Sequence, residues 1–333
     1  MLIGEVARRS GVSARMLRHY ESLGLVRPSG RTGTGYREYS GEDIRRIFHI
    51  ESLRTLGLSL REIGRALGDP GFQPSVLVAD LIRQTRERIA VETELLTRLC
   101  RIDAAEPAGW EEVLHTVSFL QALGSKNADA RQRAALAPVD SVPAPVDALV
   151  EAVLSETEPN VAGALRWALA RSGGGTALLA EGLDSPVAAV RRRAVQALAE
   201  MPDGEASARL RDALAHPDAV VRGYAALALG TRGVADTVPT LIDMIVEGRN
   251  DTDAADALSV LAGDIATAER IATGVVGRLG HEDTGAPARV RLTQALADIP
   301  GPTASRALVE LSHDDDRAVA LTAAYLRQLR DGR

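Results

Sequence analysis

The sequence predicts a mainly α-helical protein in three parts: a unit of short helices with a hairpin, one long helix, and an array of stacked helix pairs. Three observations carry this expectation. Of 333 residues, 45% are apolar but only 3% aromatic, so the core rests on Ala, Leu and Val, which suit closely packed helices better than sheets. No Gly or Pro interrupts residues 75–101. A pattern closing on Leu198, Leu229, Leu261, Leu296 and Leu326 recurs at spacings of 31, 32, 35 and 30 residues, the mark of a repeat architecture.

Charge divides the chain in the same place. The net charge is −6, but residues 1–101 hold 17 basic against 12 acidic residues, and the rest 22 against 33. A basic first unit on an acidic remainder is the asymmetry of a protein that meets nucleic acid with one part only. The length suits two or more domains. No apolar run approaches the ~20 residues that span a bilayer, and the first residues lack a signal-peptide core. The single cysteine, Cys100, forms no internal disulfide and no multi-cysteine metal site. A cytoplasmic protein is expected.

Residues 3–10 read as a short helix with Val6 and Ala7 inward. Gly11 suits a sharp turn, and Ser13 caps a second helix over 14–23. Two short helices around a glycine turn form a helix-turn-helix, whose second helix enters the major groove. On that helix Met16, Leu17, Tyr20 and Leu23 share one face, leaving Arg15, Arg18 and His19 toward the other. Two short strands, 26–28 and 36–39, flank the turn-rich segment 29–35 and predict a wing with a basic tip. Ser40 caps a helix beginning at Glu42, with Ile44, Ile47, Phe48 and Leu53 on one face, and Ser59 caps the next.

In the long helix of 74–101, Ile82, Ile89 and Leu96 fall at heptad spacing, with Val78, Thr85, Glu92 and Leu99 between them. A narrow apolar stripe on a charged helix is a coiled-coil seam, so Val78, Ile82, Ile89, Leu96 and Leu99 are the candidate homodimer contacts. Thr85 and Glu92 weaken the seam, and the alternative is an amphipathic helix packed on its own domain.

Ile3-Gly4-Glu5-Val6-Ala7, Gly11-Val12-Ser13, Leu17-Arg18-His19-Tyr20-Glu21, Gly24-Leu25, Gly35-Tyr36-Arg37 and Ser59-Leu60-Arg61-Glu62-Ile63 stand here in an order that resembles the MerR family. The resemblance implies a winged helix-turn-helix over 1–70 and an antiparallel dimerisation helix over 74–101. It further implies a dimeric transcription regulator that distorts double-stranded promoter DNA with an over-long spacer, with RNA polymerase as a partner. By the same resemblance Arg15, Arg18 and His19 touch DNA, and Arg31, Tyr36, Arg37 and Arg54 hold phosphates. With the cap Ser13 they make the candidate DNA-binding set. Arginine forks suit phosphates and guanine edges, and a tyrosine hydroxyl adds a phosphate contact.

Residues 179–198 and 210–229 both place Pro, then Val-Arg, then Ala and a closing Leu at equal offsets. This pattern resembles HEAT repeats, which implies an α-solenoid over 125–333. The alternative is a non-repeating helical domain. Residues 102–124, with Trp110, Val113, Leu114, Val117 and Leu120 at helical spacing, form a helical connector, and 138–145 an irregular link. Arg193, Tyr224 and Arg291 each lie two residues after a repeat Arg, and Trp167 and Tyr325 sit in other second-helix segments. Together they are the candidate surface for an effector or partner, a small molecule, peptide or protein. Equally, they cover neighbouring helices.

No catalytic signature stands out. His216-Pro217-Asp218, His281-Glu282-Asp283 and His313-Asp314-Asp315-Asp316 fall in corresponding turns, where polar caps account for them. Gly173-Gly174-Gly175 lacks the strand and Lys of a phosphate loop. No cofactor and no metal are expected, and Cys100 reads as a structural thiol. The sequence therefore predicts a MerR-like regulator whose repeat array senses an effector or docks a partner. The rivals are an interaction adaptor recruited to DNA and a HEAT-like DNA glycosylase; the latter needs a basic groove that this acidic array does not offer.

Overall fold

The computed structural model describes residues 1–69, 71–137 and 144–331; positions 138–143 of the expected irregular link lie outside them. The chain divides into two units, Met1–Thr93 and Glu94–Arg333.

In the first unit, α1 (Ile3–Ser10) and α2 (Ala14–Ser22) are joined through Gly11, whose φ of 74° suits a residue without Cβ. The wing is a hairpin of β1 (Gly30–Arg31) and β2 (Arg37–Glu38), with Gly30 opposite Glu38 and Arg31 opposite Arg37. Pairing thus begins later than the expected strand at 26–28. Leu25 and Val26 are buried in the helical core, and Pro28 has no N–H for a ladder. The chain start completes the hairpin's outer side: Tyr39 N–H donates to the Met1 carbonyl at 2.9 Å.

Next come α3 (Gly41–Thr55) and α4 (Leu60–Gly68), each opened by a capping box, Ser40 with Asp43 and Ser59 with Glu62. Val6, Leu17, Tyr20, Ile44, Ile47, Ile50 and Ile63 close the core. Then α5 (Pro74–Ala104) runs for 31 residues, about 46 Å at 1.5 Å per residue. Its Leu77 and Leu81 lean on the first unit's core, but no residue of α5 is buried.

The second unit continues from the end of α5 with α6 (Trp110–Leu123) and α7 (Ala128–Ala135). Six helix pairs follow: α8 (Val146–Ser155) with α9 (Pro159–Ser172), α10 (Thr176–Leu183) with α11 (Ala188–Glu200), and α12 (Gly204–Ala213) with α13 (Ala219–Thr231). After a 3-10 turn at Ala235–Thr237 come α14 (Val238–Glu247) with α15 (Asp251–Leu261), α16 (Ile265–Leu279) with α17 (Ala286–Ala295), and α18 (Pro302–Leu311) with α19 (Arg317–Asp331). Second helices stack on second helices, from α11 through α13, α15 and α17 to α19, while α14, α16 and α18 form a row of first helices. Buried alanines such as Ala194, Ala225, Ala226, Ala254 and Ala323 let these helices approach closely, which explains a core almost without aromatics.

Arginines tie each pair to the next. Arg131, Arg191 and Arg222 donate to the carbonyl six residues back, in their own turn, at 2.8, 2.8 and 2.7 Å. Arg131 also pairs with Glu156, Arg191 with Asp218 and Arg289 with Asp314 in the following pair. A second set reaches backwards to main-chain carbonyls at helix termini: Arg193 to Leu154, Arg232 to Ala199 and Met201, and Arg291 to Ile245 and Val246 at C-terminal ends, and Arg249 to Ala219 at the start of α13.

Candidate nucleic-acid interface

The candidate site is built on α2. Ser13 accepts the N–H of Met16 at 3.2 Å, a cap that fixes the first turn. Leu17 and Tyr20 are buried on one side, so Arg15, Arg18 and His19 face solvent on the other. Three positive or protonatable groups within five positions of an exposed helix suit a groove lined with phosphates.

The wing stands beside it. Its tip is fixed by Thr32, whose N–H donates to the Tyr36 carbonyl at 2.8 Å and whose Oγ1 accepts the Tyr36 N–H at 3.0 Å. Arg31 is exposed, and Tyr36 is 64% exposed. Arg37 donates its Nε–H to Glu21 of α2 at 2.6 Å. At the base of the wing, Asp43 accepts from the Ser29 hydroxyl at 2.6 Å and from the Ser40 N–H at 2.7 Å. Partial burial opposes ionisation of Asp43, but these bonds prevail and hold its carboxyl below the usual range.

Arg54, at the end of α3, is tethered rather than free. Its Nη1 donates to the Tyr20 hydroxyl at 2.8 Å and to Glu51 at 3.4 Å, while the Tyr20 hydroxyl donates to Glu51. Burial, reinforced by the Glu51 carboxylate, pushes the Tyr20 phenol up, so it stays protonated. The exposed Arg54 fork is thereby aimed by a residue from the core of α2.

The other sequence candidates lie elsewhere. Val78, Ile82, Ile89, Leu96 and Leu99 are all exposed along α5. In the array, Trp167 is exposed with Arg171 stacked 4.8 Å over its ring, and Tyr325 is exposed on α19. Tyr224 packs partly buried against the core. Arg193 donates Nη1–H, and Arg291 Nε–H and Nη2–H, to the backbone carbonyls given above. Spacing alone did not reveal Glu21, Asp43 and Glu51, the acids that position the wing and Arg54. Nor did it reveal Arg101, which donates to Asp147 at 2.7 Å and to Glu151, both on α8. Among the described residues, no group of three or more His, Cys, Asp or Glu could hold a metal ion, and no helix is long and apolar enough to cross a membrane.

An exposed cationic helix braced against a hairpin defines a winged helix-turn-helix, and the helix pairs define a repeat array. The family of MerR helix-turn-helix regulatory proteins matches residues 1–69, and HEAT repeats match residues 176–262. The chain therefore carries a MerR-family domain at its N-terminus and HEAT repeats in its C-terminal region. It is similar to the nodulation protein NolA of Bradyrhizobium sp. (strain NC92), 42% identical over 97 residues, covering 29% of this chain and 39% of that protein. The transcriptional regulator SkgA of Caulobacter vibrioides is 39% identical over 97 residues, covering 29% and 36%. The crystal structure of MtaN, the N-terminus of a Bacillus subtilis multidrug transporter activator, covers 30% of this chain and 95% of that one at 31% identity and a TM-score of 0.30. The chain spans about two fifths of the length of these two curated relatives.

Proposed function

We propose that the protein is a DNA-binding transcription regulator that works as a homodimer on a pseudo-palindromic promoter. The observation that carries this reading is the exposed Arg15, Arg18 and His19 face of α2, set beside a wing that α2 itself holds through Glu21 and Arg37. The apolar seam on α5 supports pairing of two copies, because an exposed stripe of Ile82, Ile89 and Leu96 lowers its free energy by covering itself. Two-fold pairing then presents two recognition helices to two half-sites, and RNA polymerase is the machinery such a dimer would influence.

The repeat array is the input half of this reading. Arg101, in the last turn of α5, clasps Asp147 and Glu151 on α8. A change in how the pairs stack therefore has a direct mechanical route to α5, and coupling of about 1–3 kcal/mol is typical of such links. Exposed Leu321, Tyr325 and Leu329, at helical spacing on α19, favour a second use of the array as a docking face for a protein partner. Footprinting of the DNA upstream of the gene, joined to transcription measurements from the protected promoter, tests both halves with full-length protein and with a chain lacking residues 125–333. Specific protection by both forms, with loss of regulated output in the short one, is the expected result. Absence of any protected site overturns the regulator reading, and unchanged regulated output in the short form overturns the input role.

A further inference from the structure

A cavity of about 580 Å³ opens between the first helices α14 and α16, a size that suits a small organic ligand. Along α16, Arg270, Gly274 and Arg278 recur every four residues and so share one face. Gly274 lets α14 come close: a Cβ there would stand 2.9 Å from Ile242 Cδ1. Ile242, with Val238 and Pro239, gives the cavity an apolar wall, and a guanidinium stands one turn to either side of the glycine.

The donors are only partly met. Arg278 bonds Asp243 through Nη2 at 3.0 Å, but its Nε is shut from water and has no hydrogen-bond partner. A charged donor left in that state is unfavourable. Arg270 commits Nη2 to the Thr267 hydroxyl at 3.0 Å. Two acids line the same cavity: Asp243 is engaged by Arg278, and Asp236 is exposed. Each guanidinium carries five N–H donors, more than these bonds use, so donors remain for an acceptor beside the apolar wall.

We propose that the cavity between α14 and α16 is a binding site for a small amphiphilic oxyanion, its carboxylate or phosphate on the Arg270 and Arg278 forks and its hydrocarbon on Val238, Pro239 and Ile242. A planar guanidinium matches either headgroup through its outer N–H groups. This deepens the input role given to the array and rests on it for any effect on transcription. Binding itself is measured on full-length protein without DNA, so the two fail separately.

The test is calorimetric titration with octanoate, octyl phosphate, acetate and octylamine. The expected result is saturable binding of octanoate or octyl phosphate at up to millimolar concentration, with acetate at least about tenfold weaker and octylamine silent. Whichever of the first two binds more tightly identifies the headgroup. Arg278→Gln should weaken that ligand about tenfold or more. Arg278→Lys keeps a charge for Asp243 without the planar fork and should also lose most of the binding. Arg270→Gln is a second, independent variant, and a folded circular dichroism spectrum qualifies each. Absence of saturable binding by both octyl anions, equal binding of octylamine, or folded Arg278 and Arg270 variants that bind like the parent would overturn the proposal.

Discussion

Glu21 on α2 accepts the Nε–H of Arg37 on β2 at 2.6 Å, so the recognition helix and the wing hold each other in place. The pair is a quarter to a third exposed, and such contacts contribute only about 0.2–1 kcal/mol to stability. Its weight lies in geometry. If Arg37 also reaches a phosphate, Arg37→Ala should lower operator affinity and reduce the salt slope by about one counterion. Glu21→Gln should leave that slope intact. A salt-controlled titration of both variants decides: equal slopes for the two would limit Arg37 to its bond with Glu21.

Arg18 has the simplest expected effect. It is exposed on α2, so Arg18→Ala should leave stability within about 0.5 kcal/mol. Specific DNA binding should weaken by about 1–3 kcal/mol, through a lost base-edge or charged phosphate contact. Operator affinity equal to that of the parent protein would remove Arg18 from the interface.

Ile89 lies mid-way along α5 and is 59% exposed in the single chain. If it is covered in a dimer, Ile89→Asp buries an unpaired carboxylate there and should cost several kcal/mol of association, on the order of a thousandfold. Sedimentation equilibrium at low micromolar concentration reads this directly. A variant that remains dimeric would place the principal interface outside the α5 seam.

Among the described residues of the array Glu156 is a buried acid, its side chain 4% exposed. Arg131 binds it through Nε at 2.6 Å and Nη2 at 2.9 Å, and the N–H groups of Thr157 and Glu158 donate to it at 2.9 Å. The Arg131 bonds hold its carboxyl below the usual range against the opposing effect of burial. A carboxyl lowered in the folded state adds stability that is fully present above its unfolded value. That stability is lost as pH falls through the folded value. Arg131→Ala removes the bonds that hold this carboxylate ionised and should lower stability at pH 7. Denaturant melts at falling pH should show the difference shrinking below about pH 4. A pH-independent difference would mean that Arg131 acts through packing alone.

Local signals were enough to read most of the first unit. Gly11, the Ser13 cap and the Leu17–Tyr20 spacing specify α1 and α2 within a few residues of chain. The capping serines of α3 and α4 are equally local. The wing was displaced because period-two reasoning cannot tell that Leu25 and Val26 are taken by a core assembled from distant helices. The partners of the candidate arginines were hidden for the same reason. Arg193 bonds a carbonyl 39 residues away and Arg291 one 46 away, and neither acceptor carries a side-chain signature. Arg101 and its acids are likewise separated by 46 and 50 residues.

Those backbone acceptors bear on how the array evolves. Arg193, Arg232, Arg249 and Arg291 grip main-chain oxygens, and every amino acid supplies that oxygen. The residue contributing the acceptor can therefore drift without breaking the bond, provided its helix still begins or ends in the same place. Inheritance must preserve only the arginine and the helix length. An array fastened in this way can diversify its outer surface copy by copy while keeping its stack, which accounts for repeats that share a shape more faithfully than a sequence.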